Sequence, residues 1–104
     1  MPVVQTVTLP PGGSTGWHYH PGRVAVVVLS GTLTRTLYDG RVEVSGAGDS
    51  LVEEAGPRHI HVGRNHGTVP VVLIADYEAP EGCPLAVPVA EPEWSRSGAG
   101  TAGS

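Results

Sequence analysis

The chain has 104 residues, is 39% hydrophobic with a mean hydropathy near zero, and has no apolar run near the ~20 residues needed to cross a bilayer, so one domain without a membrane span is expected. A formal charge of -4 without a basic cluster argues against a phosphate-tracking surface, and because all six basic residues are arginine, Schiff-base and phosphate-loop lysines are excluded. The single cysteine, Cys83, rules out an intramolecular disulfide and a cysteine-rich zinc site, so a bound metal must use His, Asp or Glu.

The N-terminus lacks a charged start followed by an apolar core, and a cytoplasmic protein is expected. Fifteen glycines and ten prolines, set among valine and threonine, disfavour helix and predict short strands at 3–9, 17–20, 23–29, 32–37, 41–44, 50–53, 58–63 and 71–77. Turn signals separate them: Ser30-Gly31, Asp39-Gly40 (suited to a two-residue type I′ hairpin), the run 45–49, and Asn65-His66-Gly67. The reading is all-β, an antiparallel sandwich or barrel.

Strand 17–20 lies in GWHYHPG, where His18 and His20 are two residues apart and share one strand face. Tyr19 alternates away from them, and Trp17 is a candidate for stacking on a substrate. Strand 23–29 is apolar almost throughout, which fits cover on both faces and suggests a homodimer. Before the run at 58–63 stand Glu53 and Glu54, either able to supply an oxygen ligand or a general base. Glu53 shares the parity of the later histidines only if the Ala55-Gly56-Pro57 turn is ignored.

That run, RHIHVG, carries a second pair, His59 and His61. Two such pairs in one small barrel can bring three or four imidazoles to one divalent cation, whereas a lone histidine is more often a surface or hydrogen-bonded core residue. His66, in a turn, is read as a surface residue, as are Cys83 and Asp39. Arg58 or Arg64 could pair with a substrate carboxylate. Past residue 80 the chain turns Pro-rich and then Gly/Ser/Ala-rich, so the barrel is assigned to 1–80 and the functional residues are expected there. A Pro-rich extension packing on the barrel or a partner is assigned to 81–94, and a disordered tail to 95–104.

These motifs resemble those of small single-domain cupins, G-x5-H-x-H-x3,4-E-x6-G followed by G-x5-P-x-G-x2-H-x3-N. Gly12, His18, His20 and Gly31 match the first motif, with Val24 in the glutamate slot. The second matches in two registers: counted forward from Gly48 its histidine is His59, and counted back from Asn65 it is His61, the preferred one. The resemblance covers 3–79. It implies an antiparallel jelly-roll barrel, commonly dimeric, with a metal at one end of the lumen. With Val24 in the first motif, that site is at most a three-histidine one unless another acid, Glu53 foremost, completes it. The expected cofactor is a divalent transition metal (Fe, Mn, Ni, Cu or Zn). The expected function is a metal-dependent enzyme, such as a dioxygenase or an isomerase, cyclase or lyase, acting on a small enol, carboxylate or aromatic substrate. A non-catalytic metal- or ligand-binding module is the alternative.

Overall fold

The computed structural model describes residues 3–96. Nine strands follow in order: β1 (Val3–Leu9), β2 (His18–Tyr19), β3 (Val24–Ser30), β4 (Thr32–Leu37), β5 (Val42–Gly46), β6 (Ser50–Glu53), β7 (His61–Arg64), β8 (Val71–Tyr77) and β9 (Val87–Pro88). They form two sheets with antiparallel pairing, β1-β8-β3-β6 and β5-β4-β7-β2-β9. This is the jelly-roll expected from the sequence, as two facing sheets rather than a barrel closed by hydrogen bonds. A single helical turn at 93–96 follows the last strand.

Strand periodicity explains the core. In β3 the residues Val24, Val26 and Val28 are buried while Ala25, Val27 and Leu29 face outward. The first set meets Leu9, Leu33, Val71, Leu73 and Ala75 between the sheets, and each of these valines and leucines stabilises the fold by roughly 1.5–3 kcal/mol through loss of apolar surface to water. Two-sided hydrophobicity in β3 therefore leaves one apolar face uncovered within the chain.

Several boundaries differ from expectation for local reasons. Only Gly40 in the β4–β5 loop has positive φ (88°), so the turn is not type I′. Instead Gly40 N–H donates to Leu37 O at 3.0 Å and Leu37 N–H to Arg41 O at 2.9 Å, a wider loop closed by a left-handed glycine. Ser45 and Gly46, read as a turn, extend β5 by pairing with β4. At Gly31 (φ 78°) a Cβ would collide with the Pro70 carbonyl, so the β3–β4 turn requires glycine. The strand expected at 58–63 starts only at His61, because Gly56 (φ 109°) opens a turn in which His59 N–H donates to Gly56 O at 3.0 Å. β9 lies in the segment assigned to the Pro-rich extension and pairs with β2. Of the tail assigned to 95–104, Ser95 and Arg96 belong to the helical turn and 97–104 lie outside the described residues.

Candidate metal centre

β2 and β7 are neighbours in the five-stranded sheet, with His18 and His61 as direct register partners. His20 follows β2 by one residue and is buried, so alternation returns its ring to the face of His18. The three rings stand with centroids 4.4 Å (His18–His61), 4.8 Å (His18–His20) and 5.0 Å (His20–His61) apart. One nitrogen from each lies within 4.8 Å of the others.

Main-chain carbonyls orient all three rings. His18 Nδ1 is 2.8 Å from Gly16 O, His20 Nδ1 2.9 Å from Leu85 O, and His61 Nδ1 2.9 Å from His59 O. A carbonyl only accepts, so each Nδ1 carries the proton and donates it, which directs Nε2 to the shared space. His61 Nε2 is buried without a hydrogen-bond partner, a lone pair that a metal cation would satisfy.

The structure thereby separates the two candidates of the second pair. His61 joins the cluster; His59 does not, because its turn is not extended and the i, i+2 rule fails there. The His59 ring instead lies edge-on to Tyr38 at 5.3 Å, and only its carbonyl serves the site. Asn65, buried, donates to Leu9 O and Val69 O and accepts from Gly67 N–H, so it closes the turn after β7.

Glu53 reaches the cluster from the opposite sheet. Its Oε1 lies 2.9 Å from His20 Nε2 and 3.3 Å from His61 Nε2, the latter contact being too poorly aligned to count as a hydrogen bond. Its Oε2 faces Arg35 Nη1 at 3.4 Å, and Arg35 Nη2 binds Glu43 Oε1 at 2.6 Å. Burial opposes the charge of Glu53, but the hydrogen bond from His20 and the close approach of His61 outweigh it and hold the carboxyl far below its ordinary range. Burial likewise opposes a proton on His20, yet the bonds to Glu53 and Leu85 raise its pKa; with both ring nitrogens donating, His20 pairs as an imidazolium. His18 is pushed down, first by burial and then by the neighbouring His61 and His20 rings, against the Gly16 hydrogen bond.

Arg35 is the residue that sequence reasoning missed. In TLTRTL it shares strand parity with Leu33 and Leu37, a sign that it points inward, and it is 5% exposed. Tyr77 was missed too, although it continues the inward series Val71, Leu73, Ala75. Its phenol pKa is raised by burial and then by the charge of Glu53.

Three spaces adjoin the histidines. A lumen of about 60 Å³ is lined by Val24, Val26, Leu73 and Tyr77 besides the site residues. A side cleft of about 200 Å³ lies between the sheets at β5 and β6, floored by Arg35 and Glu53. A mouth of about 410 Å³, mostly apolar, is walled by Trp17, Tyr77 and Pro88 over His18 and His20. Arg58 and Arg64 line none of the three; Arg58 is exposed, and Arg64 falls on the opposite strand parity to His61. His66 and Cys83 are exposed, and Asp39 pairs with Arg41. The expectation that functional groups end before residue 80 is corrected by Leu85, whose carbonyl holds His20.

The sequence model of the cupin domain family matches residues 5–76. The structure is similar to a Klebsiella pneumoniae protein with a double-stranded β-helix domain, at 28% identity and TM-score 0.65, over 72% of this chain and 64% of that one. It is similar to the polyketide cyclase RemF from Streptomyces resistomycificus, at 26% identity and TM-score 0.71, over 88% and 63%. A predicted oxalate decarboxylase from Thermotoga maritima matches at 27% identity and TM-score 0.61, over 71% and 63%. The chain thus spans slightly under two thirds of each of these proteins. No curated protein matches it.

Proposed function

The chain belongs to the cupin domain family, and on that premise we propose that it is a metal-dependent enzyme acting on a small organic molecule of enol, carboxylate or aromatic character. The observation that carries this reading is the convergence of three Nε2 atoms, each oriented by a carbonyl on Nδ1, beside a buried carboxylate. His18, His20 and His61 hold a first-row divalent cation, and three imidazoles suit Fe, Mn, Ni, Cu and Zn alike. When bound, the cation supplies Lewis-acid polarisation of a substrate oxygen or, if redox-active, electron transfer.

The protein's own groups do the rest. Glu53, with Oε2 turned to Arg35, offers Oε1, which would either complete the cation's shell or take an acidic proton from substrate. Glu53, Glu43 and Arg35 sum to one negative charge, so a dication leaves the site one positive charge, which favours a monoanion such as a carboxylate or enolate. Similarity to a polyketide cyclase and a predicted oxalate decarboxylase supports a small-molecule substrate. The site is assigned to a cyclase, lyase, isomerase or dioxygenase reaction in a cytoplasmic protein. Among the described residues no helix is long and apolar enough to cross a membrane. The uncovered face of β3, with Val27 and Leu29, is assigned to a second copy of the chain, and sedimentation of the untagged protein tests that homodimer.

Metal analysis of protein purified without a histidine tag tests the reading: stoichiometric metal is expected, and its loss in His18→Ala. Anaerobic loading with each metal, followed by oxygen-uptake and product assays on enols, diketones and aromatic diols, then finds turnover that Glu53→Gln removes. Full metal occupancy without turnover on any substrate would leave the binding-module reading in its place.

A further inference from the structure

Of the three carbonyls that orient the histidines, two are local. Gly16 precedes His18 by two residues and His59 precedes His61 by two, so each ring is oriented by the stretch that carries it. The third, Leu85, is 65 residues from His20 and lies past the end of the family match at residue 76. His20 alone therefore depends on a returning segment for its orientation.

That segment is anchored as a strap along the outer edge of β2. Pro88 and Val87 pair with His18 and Tyr19, and Val89 N–H donates to Trp17 O at 3.0 Å. Farther on, Trp94 packs edge-on against Trp17 with ring centroids 5.9 Å apart. The same strap forms one side of the mouth: Ala86, Pro88 and Val89 face Trp17 and Tyr77, with His18 and His20 at the bottom. At about 410 Å³ the mouth has the size of a small-molecule pocket, and its apolar lining suits a flat hydrocarbon or aromatic body.

We propose that residues 84–89 are a working part of the site: the Leu85 carbonyl is the positioning group for His20, and Ala86, Pro88 and Val89 determine which substrates reach the histidines. The class admitted is a small anion with an apolar or aromatic body, its charged head toward the histidines and its body along the strap. The selectivity half rests on the proposed metal site; the positioning half does not.

Two variants of the full chain test the two halves. Val89→Pro removes the N–H that ties the strap to Trp17. In metal-free protein the slowly exchanging His20 Hδ1 proton resonance should disappear, and zinc affinity by calorimetry should fall about 10–100-fold, the usual effect of losing a partner that orients a ligand. The thermal midpoint of the metal-free protein should stay near the parent's, which separates lost orientation from lost fold. Persistence of the Hδ1 resonance in the folded variant overturns the positioning claim, whether or not the parent binds metal. Ala86→Trp narrows the mouth. On cobalt-loaded protein, azide should bind as in the parent and 4-nitrocatechol at least about 10-fold more weakly. Equal binding of both probes by parent and variant overturns the selectivity claim. A parent that takes up no zinc or cobalt overturns the proposed function and this half with it, leaving the Hδ1 result to decide the other.

Discussion

Val24 and Glu53 are direct partners across the β3–β6 ladder, and both side chains turn into the lumen. The carboxylate absent from position 24 thus stands one strand away, where cross-strand neighbours have Cβ atoms only ~4.5–5.5 Å apart. A carboxylate moved by so little can do the same work. Glu53→Ala is expected to lower zinc affinity by at least roughly 10-fold, and Val24→Glu combined with Glu53→Ala to recover most of it. Val24→Glu alone sets a second acid against Glu53 in a buried site and should destabilise the metal-free fold. Calorimetric zinc titration of the four proteins checks the set; a double variant no better than Glu53→Ala would show that the two positions are not exchangeable.

His59 and His61 look alike in the sequence and should behave unlike. His61→Ala removes a converging nitrogen and is expected to lower metal affinity by roughly 100-fold or more, beyond the ~10–100-fold typical of an outer-shell partner. His59→Ala keeps the carbonyl that orients His61 and loses only the contact with Tyr38, so its affinity should match the parent's. Competition titration against a chromophoric chelator reads both.

Arg35 links the sheets by binding Glu53 of β6 and Glu43 of β5. Arg35→Met leaves the buried Glu53 carboxylate without that partner and is expected to cost about 3–5 kcal/mol. Glu43 is 46% exposed and water screens it, so Glu43→Gln should cost about 1 kcal/mol or less. Urea unfolding of the metal-free variants checks the order; equal losses would mean that the strut acts chiefly through Glu43.

The all-β fold and the first histidine pair were legible because their signals are local: β-branched runs, glycine turns, and alternation within an extended strand. Alternation misled at His59, since the Gly56 turn breaks the extended backbone between Glu53 and His61. Arg35 was legible in principle from the Leu33-Arg35-Leu37 parity, but a lone arginine in a threonine-rich strand reads as surface until its acidic partners are known to face it. The Leu85 carbonyl was not legible at all. Every residue has a carbonyl, and only the return of the chain past β2 decides which one meets His20.

The His20–Glu53 pair contributes most to the stability of the metal-free protein in mild acid. Glu53 is held below its ordinary value of 4.5, burial notwithstanding, so the unfolded chain takes up a proton more readily. Its stabilising contribution is complete above 4.5 and is lost as pH falls through the depressed folded value. His20 is raised above 6.5, burial again opposing, so its contribution is complete below 6.5 and is lost as pH rises through the folded value. The pair's contribution, read as the thermal midpoint of the parent minus that of Glu53→Gln, should therefore be greatest between 4.5 and 6.5 and decline on both sides. Glu53→Gln is the reference because it removes the carboxylate that both shifts need. Metal runs against the same proton, because His20 Nε2 must release it before it can bind a cation. His18, whose pKa is lowered, offers no such barrier near neutrality. Zinc affinity should therefore climb as pH rises towards the folded His20 value above 6.5 and level off beyond it, with close to one proton released per zinc bound on the steep part of that climb. Calorimetry in buffers of different ionisation enthalpy counts that proton, and a count of zero there would mean that His20 is neutral before the metal arrives.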